Sequence, residues 1–298
     1  MAAAGILLVD KPGGMTSHDV VARARRALGT RKIGHAGTLD PMATGLLILG
    51  VEGATRLLTF IVGLDKTYEA TIRLGVATDT DDAEGAEIER ADAAALVAVT
   101  PERVATGVEN LTGRISQVPS TVSAIKVAGR RAYDLAREGV EVQLKAREVT
   151  VSRFEVLAQR REGGAVDLDV VVDCSSGTYI RALARDLGTA LGVGGHLTAL
   201  RRTRIGAFDV SEAASADDLA MAELAAPARV ATEVLGRLDV SAEEARDLRH
   251  GKRLAGAAAR LTRNPTAAVD PGGTLVGIVE KRGDDVKSVM NMPEEARP

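Results

Sequence analysis

Asp40 stands in the stretch "GHAGTLDPMATGLLILG", residues 34–50, between Leu39 and Pro41 and just ahead of an apolar run. Pro41 fixes the backbone immediately after the carboxylate. Gly34, Gly37 and Gly45 let main chain or ligand come close, and His35 and Thr38 add polar side chains beside it. A carboxylate held this way can serve as a base or as a nucleophile. Leu-Asp-Pro is equally a sound turn, and Asp a good helix cap, so these residues alone leave both readings open. Other chemistries are poorly served. The four histidines (His18, His35, His196, His250) are far apart in sequence, with no i,i+4 pair and no His/carboxylate box, so no metal site is expected. Cys174 is the only cysteine, which excludes an intrachain disulfide and a cysteine zinc site. No Gly-x-Ser-x-Gly elbow is present. "GVGGH" at 192–196 is too short for a dinucleotide loop and reads as a cap on the preceding helix.

The elements that must position Asp40 can be read from patterning. "GILLVDKP" is a β-rich run ended by Pro12. Thr16 or Ser17 caps a helix running to about Leu28, with Gly29 at its C′ position. The Asp40 stretch follows as loop and then apolar strand. "KTYEATIRLGV" alternates as a strand and carries Tyr68, and "ATDTDDAEG" is an acidic, turn-rich loop. "TPERVATGVENLTG" is a helix opened by Thr100 and Pro101. "REVTVSRFEVLAQ" and "AVDLDVVVDCSS" are strands joined near Gly163-Gly164. "TYIRALARDLGTALG" is a helix after a turn at Gly177. An Ala-rich helical stretch is expected over about 215–235, and it is the best linker candidate. Beyond it lie "LRHGKRL" and a hairpin after Gly272. Strands and helices mix without regular βαβ alternation, which points to an α+β fold.

The chain has 298 residues, 45% hydrophobic and 27% charged, enough for a large domain and a smaller one. Its apolar N-terminus lacks a basic leader and is too short to span a bilayer, so a soluble, untargeted, cytoplasmic protein is expected. The formal net charge of −3 argues mildly against nucleic acid. The cations are nonetheless clustered, at Arg23–Lys32 and again at Arg201, Arg202 and Arg204, and such patches could meet phosphates locally.

"GHAGTLDPMATGLL" resembles the catalytic motif of the bacterial TruB-type tRNA pseudouridine synthases. "LLVDKPGGMTSHDVV", "DKTYEATIRLGVATDTDDAEG", "VPSTVSAIKVAGRRAYDLAREG", "CSSGTYIRALARDLG" and "LRRTRIG" resemble that family's other blocks, in the same order, over roughly residues 5 to 206. The resemblance implies a catalytic domain over 1–234, built on a mixed, largely antiparallel sheet with flanking helices. It also implies a thumb-like loop at about 117–142 and a small β-rich PUA-like RNA-binding domain over 235–298. It makes Asp40 the residue on which the isomerisation depends. Tyr68 becomes the base-stacking residue and candidate base for the C5 proton, and Arg181 the partner of the carboxylate. Tyr179, from the same block as Arg181, would bind substrate, Leu200 would stand in the uracil pocket, and His35 would lie near the extruded nucleotide. Lys126, Arg130 and Arg131 would contact phosphates from the thumb-like loop. The implied reaction turns a uridine in the tRNA T loop, position 55, into pseudouridine by N1–C1′ cleavage, uracil rotation and C5–C1′ bond formation. It needs no cofactor, no guide RNA and no obligate protein partner, so a monomer acting on the T stem-loop is expected. "MATGLL" and the complete thumb-like block favour this over the guide-dependent relatives that share "GTLDP".

Overall fold

The computed structural model describes residues 3–120, 126–127, 130–131 and 144–293. Its centre is a mixed, largely antiparallel sheet. The order runs Ala214–Ser215, Gly5–Lys11, Thr44–Val51, Gly195–Ile205, Lys66–Leu74, Ala165–Cys174, Arg147–Glu162 and Gly113–Gln117. Only two of these pairings are parallel, those of Gly5–Lys11 with Ala214–Ser215 and of Gly195–Ile205 with Thr44–Val51. The central strands are buried on both faces, which is why "TGLLILGV" is apolar throughout. "KTYEATIRL" keeps its alternation, with Tyr68, Ala70, Ile72 and Leu74 turned into the core.

Helices Pro101–Asn110 and Ile180–Leu191 pack against the sheet through Val104, Val108, Leu183 and Leu187, meeting Ile72, Val170 and Val172. Helix Ser17–Ala27 covers another part through Val20, Val21 and Ala24. Its start is a capping box, in which Thr16 accepts from the Asp19 amide and the Asp19 carboxylate accepts from the Thr16 amide. A second sheet, Arg237–Asp239, Thr266–Val269, Leu275–Arg282 and Asp285–Asn291, forms the C-terminal part. It is not free-standing. Ala267, Val269, Leu275 and Ile278 share one core with Ile6, Leu57, Ile61 and Val230.

The expected helical linker differs from what the chain forms. Only Pro227–Leu235 is helical, opened by a proline at its first turn. Ahead of it, Ala225 exchanges two main-chain hydrogen bonds with Ile6, at 2.9 and 2.8 Å. Ala216 and Leu219 are buried beside the first helix. Alanine's helix preference amounts to only tenths of a kcal/mol per residue, and pairing with an edge of the sheet outweighs it. The stretch is thus a packed layer rather than a tether.

Gly45 shows how tightly the frame around Asp40 is built. It lies at φ +100°, and a Cβ there would stand 2.2 Å from the Arg202 carbonyl oxygen. Gly45→Ala should therefore destabilise the fold by about 3 kcal/mol or more, from strain and overpacking together. Denaturant unfolding measures this, and a loss under about 1 kcal/mol would show that the two strands separate at little cost.

Candidate active site

The Asp40 loop joins strand Ile33–Ala36 to strand Thr44–Val51, and almost every turn of its main chain is fastened. Arg202 Nη2 donates to the Gly37 carbonyl at 2.9 Å. Ser17 bonds Leu39 in both directions, its hydroxyl accepting from the amide at 2.9 Å and donating to the carbonyl at 3.2 Å. The Pro41 carbonyl accepts from Lys11 Nζ at 3.2 Å and from the Gly14 amide at 2.9 Å. The Asp40 carbonyl accepts from the Ala43 amide at 3.1 Å. Lys11 is fully buried, and burial pushes its ammonium down to about 8.

The Asp40 carboxylate meets Arg181 Nε at 3.0 Å. Arg181 Nη1 in turn meets Asp82 at 3.3 Å and donates to the Thr80 carbonyl at 2.9 Å. The Arg181 side chain is 4% exposed, whereas that of Asp40 is 36% exposed. The guanidinium is therefore held from behind and offers one edge to a carboxylate that faces open space. Asp82 is itself fixed by the Thr80 hydroxyl at 2.6 Å and the Glu84 amide at 3.1 Å. Arg181 stands in the first turn of helix Ile180–Leu191, whose entry is clamped by Gln117. That buried amide accepts from the Tyr179 amide at 2.8 Å and donates to the Tyr179 carbonyl at 3.0 Å.

Asp40 opens into a cavity of about 440 Å³. Tyr68, Tyr179, Ile180 and Leu200 supply ring and apolar surface, and Lys66, Arg147, Arg181 and Arg202 supply cations. Burial pushes the Tyr68 phenol up from its ordinary value, with neighbouring Arg202 acting in the opposite direction. Lys66 Nζ donates to the Val62 carbonyl at 3.0 Å and to the Leu64 carbonyl, and burial with Arg202 nearby pushes it down to about 8. Such a space takes a planar ring of nucleobase size, with the carboxylate at its mouth. Among the described residues, no group of three or more His, Cys, Asp or Glu is placed to hold a metal ion.

The sequence model described as "TruB family pseudouridylate synthase (N terminal domain)" matches residues 25–180. "tRNA pseudouridylate synthase B C-terminal domain" matches 181–245, and "tRNA Pseudouridine synthase II, C terminal" matches 235–293. A protein of Leifsonia xyli subsp. xyli named tRNA pseudouridine synthase B is 57% identical over 297 residues, covering 99% of this chain and 98% of that relative.

The chain belongs to the TruB family of pseudouridylate synthases.

A second relative of the same name, from Rhodococcus jostii, is 54% identical over 296 residues, covering 97% of this chain and 94% of its own length. Among solved structures, an H/ACA RNP bound to a substrate RNA containing 2′-deoxyuridine has a chain that matches with TM-score 0.68 at 23% identity, over 99% of this chain and 85% of its own. A Cbf5–Nop10–Gar1 complex matches with TM-score 0.68 at 24% identity, over 97% and 84%. At these identities the likeness is one of fold.

Five of the residues singled out by TruB resemblance, Asp40, Tyr68, Tyr179, Arg181 and Leu200, come from four separate strands, loops and helix starts and line one cavity. His35 is not among the lining residues. Its ring meets that of His18 edge-on at 5.4 Å. The side chains of Lys126, Arg130 and Arg131, and most of the thumb-like loop, lie outside the described residues. The Arg201–Arg204 cluster is a correction, because strand geometry sends its members different ways. Arg202 is 1% exposed and braces the Asp40 loop. Arg201 forks onto Asp10 at 3.0 and 2.7 Å, and Arg204 reaches Thr67, Asp173 and the Gly206 carbonyl. Asp82, Gln117 and Lys66 belong to the site's frame and were missed by local sequence reasoning, and Arg202 was read only as a phosphate contact. Asp82 is one acid among several in a turn-rich loop, and only the family block around it singles that loop out.

Arg181 is the hinge of this arrangement, and Lys lacks the planar fork that spans two carboxylates and a carbonyl. Arg181→Lys should slow single-turnover isomerisation by about a hundredfold while changing tRNA affinity little. Asp82→Asn should slow the same step by about tenfold, by loosening Arg181 rather than by touching substrate. An unchanged single-turnover rate in both variants would show that the triad does not orient the reacting carboxylate.

Proposed function

We propose that this chain converts a uridine in the T loop of tRNA, position 55, to pseudouridine, as a stand-alone, guide-independent enzyme. The observation that carries this reading is the Asp40 carboxylate, held at 3.0 Å by a buried guanidinium and facing a cavity walled by Tyr68 and Leu200. Its family and the names of its relatives support the reaction and the tRNA substrate.

The target base leaves its stack and enters the cavity, which costs about a few kcal/mol, offset by stacking on the Tyr68 ring and by pocket hydrogen bonds. Asp40 then acts on the ribose or the base as nucleophile or base, and the N1–C1′ bond breaks. The electron pair stays on N1. The uracil rotates within the closed pocket, C5 bonds to C1′, the C5 proton departs and N1 takes up a proton, so substrate and product are isomers. The process is internally balanced and needs no cofactor. Tyr68, held neutral by burial, presents a ring face, and its oxygen takes the C5 proton only if its own proton leaves first. Tyr179 and Leu200 bound the base, and His35, outside the cavity lining and against His18, meets the nucleotide only on its way in. The apolar wall keeps water from the separated fragments.

In the same reading residues 1–234 form the catalytic domain, and 235–298 a PUA-like domain whose Arg249–Arg253 segment meets tRNA by exchanging its present acid partners, Asp270, Asp247 and Asp285, for phosphates. Lys126, Arg130 and Arg131 meet phosphates from the thumb-like loop at about 117–142. The enzyme works as a cytoplasmic monomer. Among the described residues no helix is long and apolar enough to cross a membrane, which fits this setting.

A bare T-stem-loop transcript, with no guide RNA and no added protein, should be modified by the purified chain, as read by carbodiimide labelling. No product on the bare RNA would favour the guide-dependent reading. Asp40→Asn keeps shape and removes charge, so it should lower the single-turnover rate by about a hundredfold or more while tRNA binding survives. Retention of about a tenth of the wild-type rate in a contamination-free preparation would remove Asp40 from the role. The triple Lys126/Arg130/Arg131→Ala variant should bind more weakly. Its slope of log affinity against log salt should be shallower by about 0.7–0.9 for each phosphate that the variant no longer neutralises. An unaltered slope would mean that other cations of the chain neutralise the RNA.

A further inference from the structure

Lys66 and Arg202 form the unexplained part of the cavity. Both line it, and both are buried, at 5% and 1% exposure. They lie side by side against Gly37, where a Cβ would stand 3.5 Å from Arg202 Nη1 and 3.7 Å from Lys66 Cε. Among the described residues neither has a carboxylate within ion-pair distance, in contrast to Arg181 with Asp40 and Asp82, Arg201 with Asp10 and Arg204 with Asp173. Lys66 donates to the Val62 and Leu64 carbonyls, and Arg202 to the Leu46 and Gly37 carbonyls, with the neutral Tyr68 phenol as a further partner of Arg202. Asp65 favours the charged form of Lys66 without pairing with it, and the Cys174 thiol across the strand is kept neutral, pushed up to about 11 by burial. Two buried cations without an acid are costly, and they repel each other. A fold retains such a pair where an anion arrives to compensate it.

We propose that Lys66 and Arg202 make an anion-stabilising wall for the uracil at the moment it is detached. The inference rests on the isomerase reading above. When the N1–C1′ bond breaks and its electron pair remains on N1, the uracil carries a full negative charge, spread over N1, O2 and O4. The substrate uracil is neutral. The two cations thus interact more strongly with the separated base than with the bound nucleotide, which is the condition for an interaction to raise the rate rather than the affinity. Lys66 lines the cavity, and its Nζ gives two of its three N–H groups to the Val62 and Leu64 carbonyls, so the proposal assigns the third to the base. Arg202 is already oriented by its carbonyl partners, so little reorganisation is needed as charge develops. The wall also opposes escape of the free base, since the anion is held by fixed charge while it rotates.

The alternative anion is a phosphate of the target nucleotide, present before and after reaction alike, and the two are separable. Lys66→Met and Lys66→Arg are compared with wild type for affinity toward a T-stem-loop RNA and for single-turnover isomerisation at saturating enzyme. The expected result is a loss of about a hundredfold in the single-turnover rate for Lys66→Met, affinity within about twofold, and partial recovery in Lys66→Arg. Weaker binding with an unchanged rate overturns the proposal in favour of phosphate binding. An unchanged rate and affinity overturns it altogether. An inactive wild type defeats the isomerase reading itself, which keeps the two failures apart. Should Lys66→Met not fold, the wild type answers the same question. 5-Nitrouracil, an anion at neutral pH, should inhibit more strongly than neutral uracil by about tenfold or more. Equal inhibition overturns the proposal.

Discussion

One guanidinium, buried and bidentate in function, ties this site together. Arg181 reaches Asp40 on the loop between two strands, Asp82 on a turn further along the chain, and the Thr80 carbonyl beside it. Removing one partner of a buried pair costs about 3–5 kcal/mol, because a charge is left without compensation. The three segments therefore hold one another in place. The exposed face of Asp40 is what remains available to a substrate, and its direction is set by the part of the triad that solvent does not reach.

The Asp40 loop carries little internal structure of its own, so its shape comes from outside. Lys11 and Gly14 hold Pro41, Ser17 holds Leu39, and Arg202 holds Gly37. These donors lie at the end of the first strand, at the start of the first helix and in a strand on the far side of the sequence. Preorganisation of this kind is settled during folding and needs no rearrangement when charge develops. The same economy appears at Tyr179, where one amide side chain, Gln117, satisfies the main chain on both sides of a helix start that lacks a side-chain cap.

Charge explains how a chain of net charge −3 can work on a polyanion. Most surface arginines of the described residues are matched by acids, as with Arg73 and Asp167, Arg201 and Asp10, or Arg249 and Asp270. The net figure averages over these neutral pairs. What the cavity presents is local: one carboxylate backed by a guanidinium, with Lys66 and Arg202 also in its lining.

Much of the local structure was legible in the sequence. Thr16 as a helix cap, Gly29 after the helix end, Thr100-Pro101 as a helix start, the hairpin at Gly163-Gly164 and the alternation around Tyr68 all follow from short-range sterics and burial, which act over a few residues. The ordered family blocks singled out Asp40, Tyr68 and Arg181, which the fold brings to one cavity. What the sequence could not supply was partnership at a distance. Asp82 looks like any acid in a turn until residue 181 is folded over it. Arg202 looks like a phosphate binder until the sheet turns it inward, next to neighbours that alternate to the surface. The Ala-rich stretch before Pro227 reads as helix until Ala225 finds an unpaired strand edge at Ile6. Each of these depends on groups far apart in the chain. Burial changes a charged side chain's energy by more than any local preference, so only the tertiary structure decided that Asp82 and Arg202 would join Asp40 and Arg181 at the site.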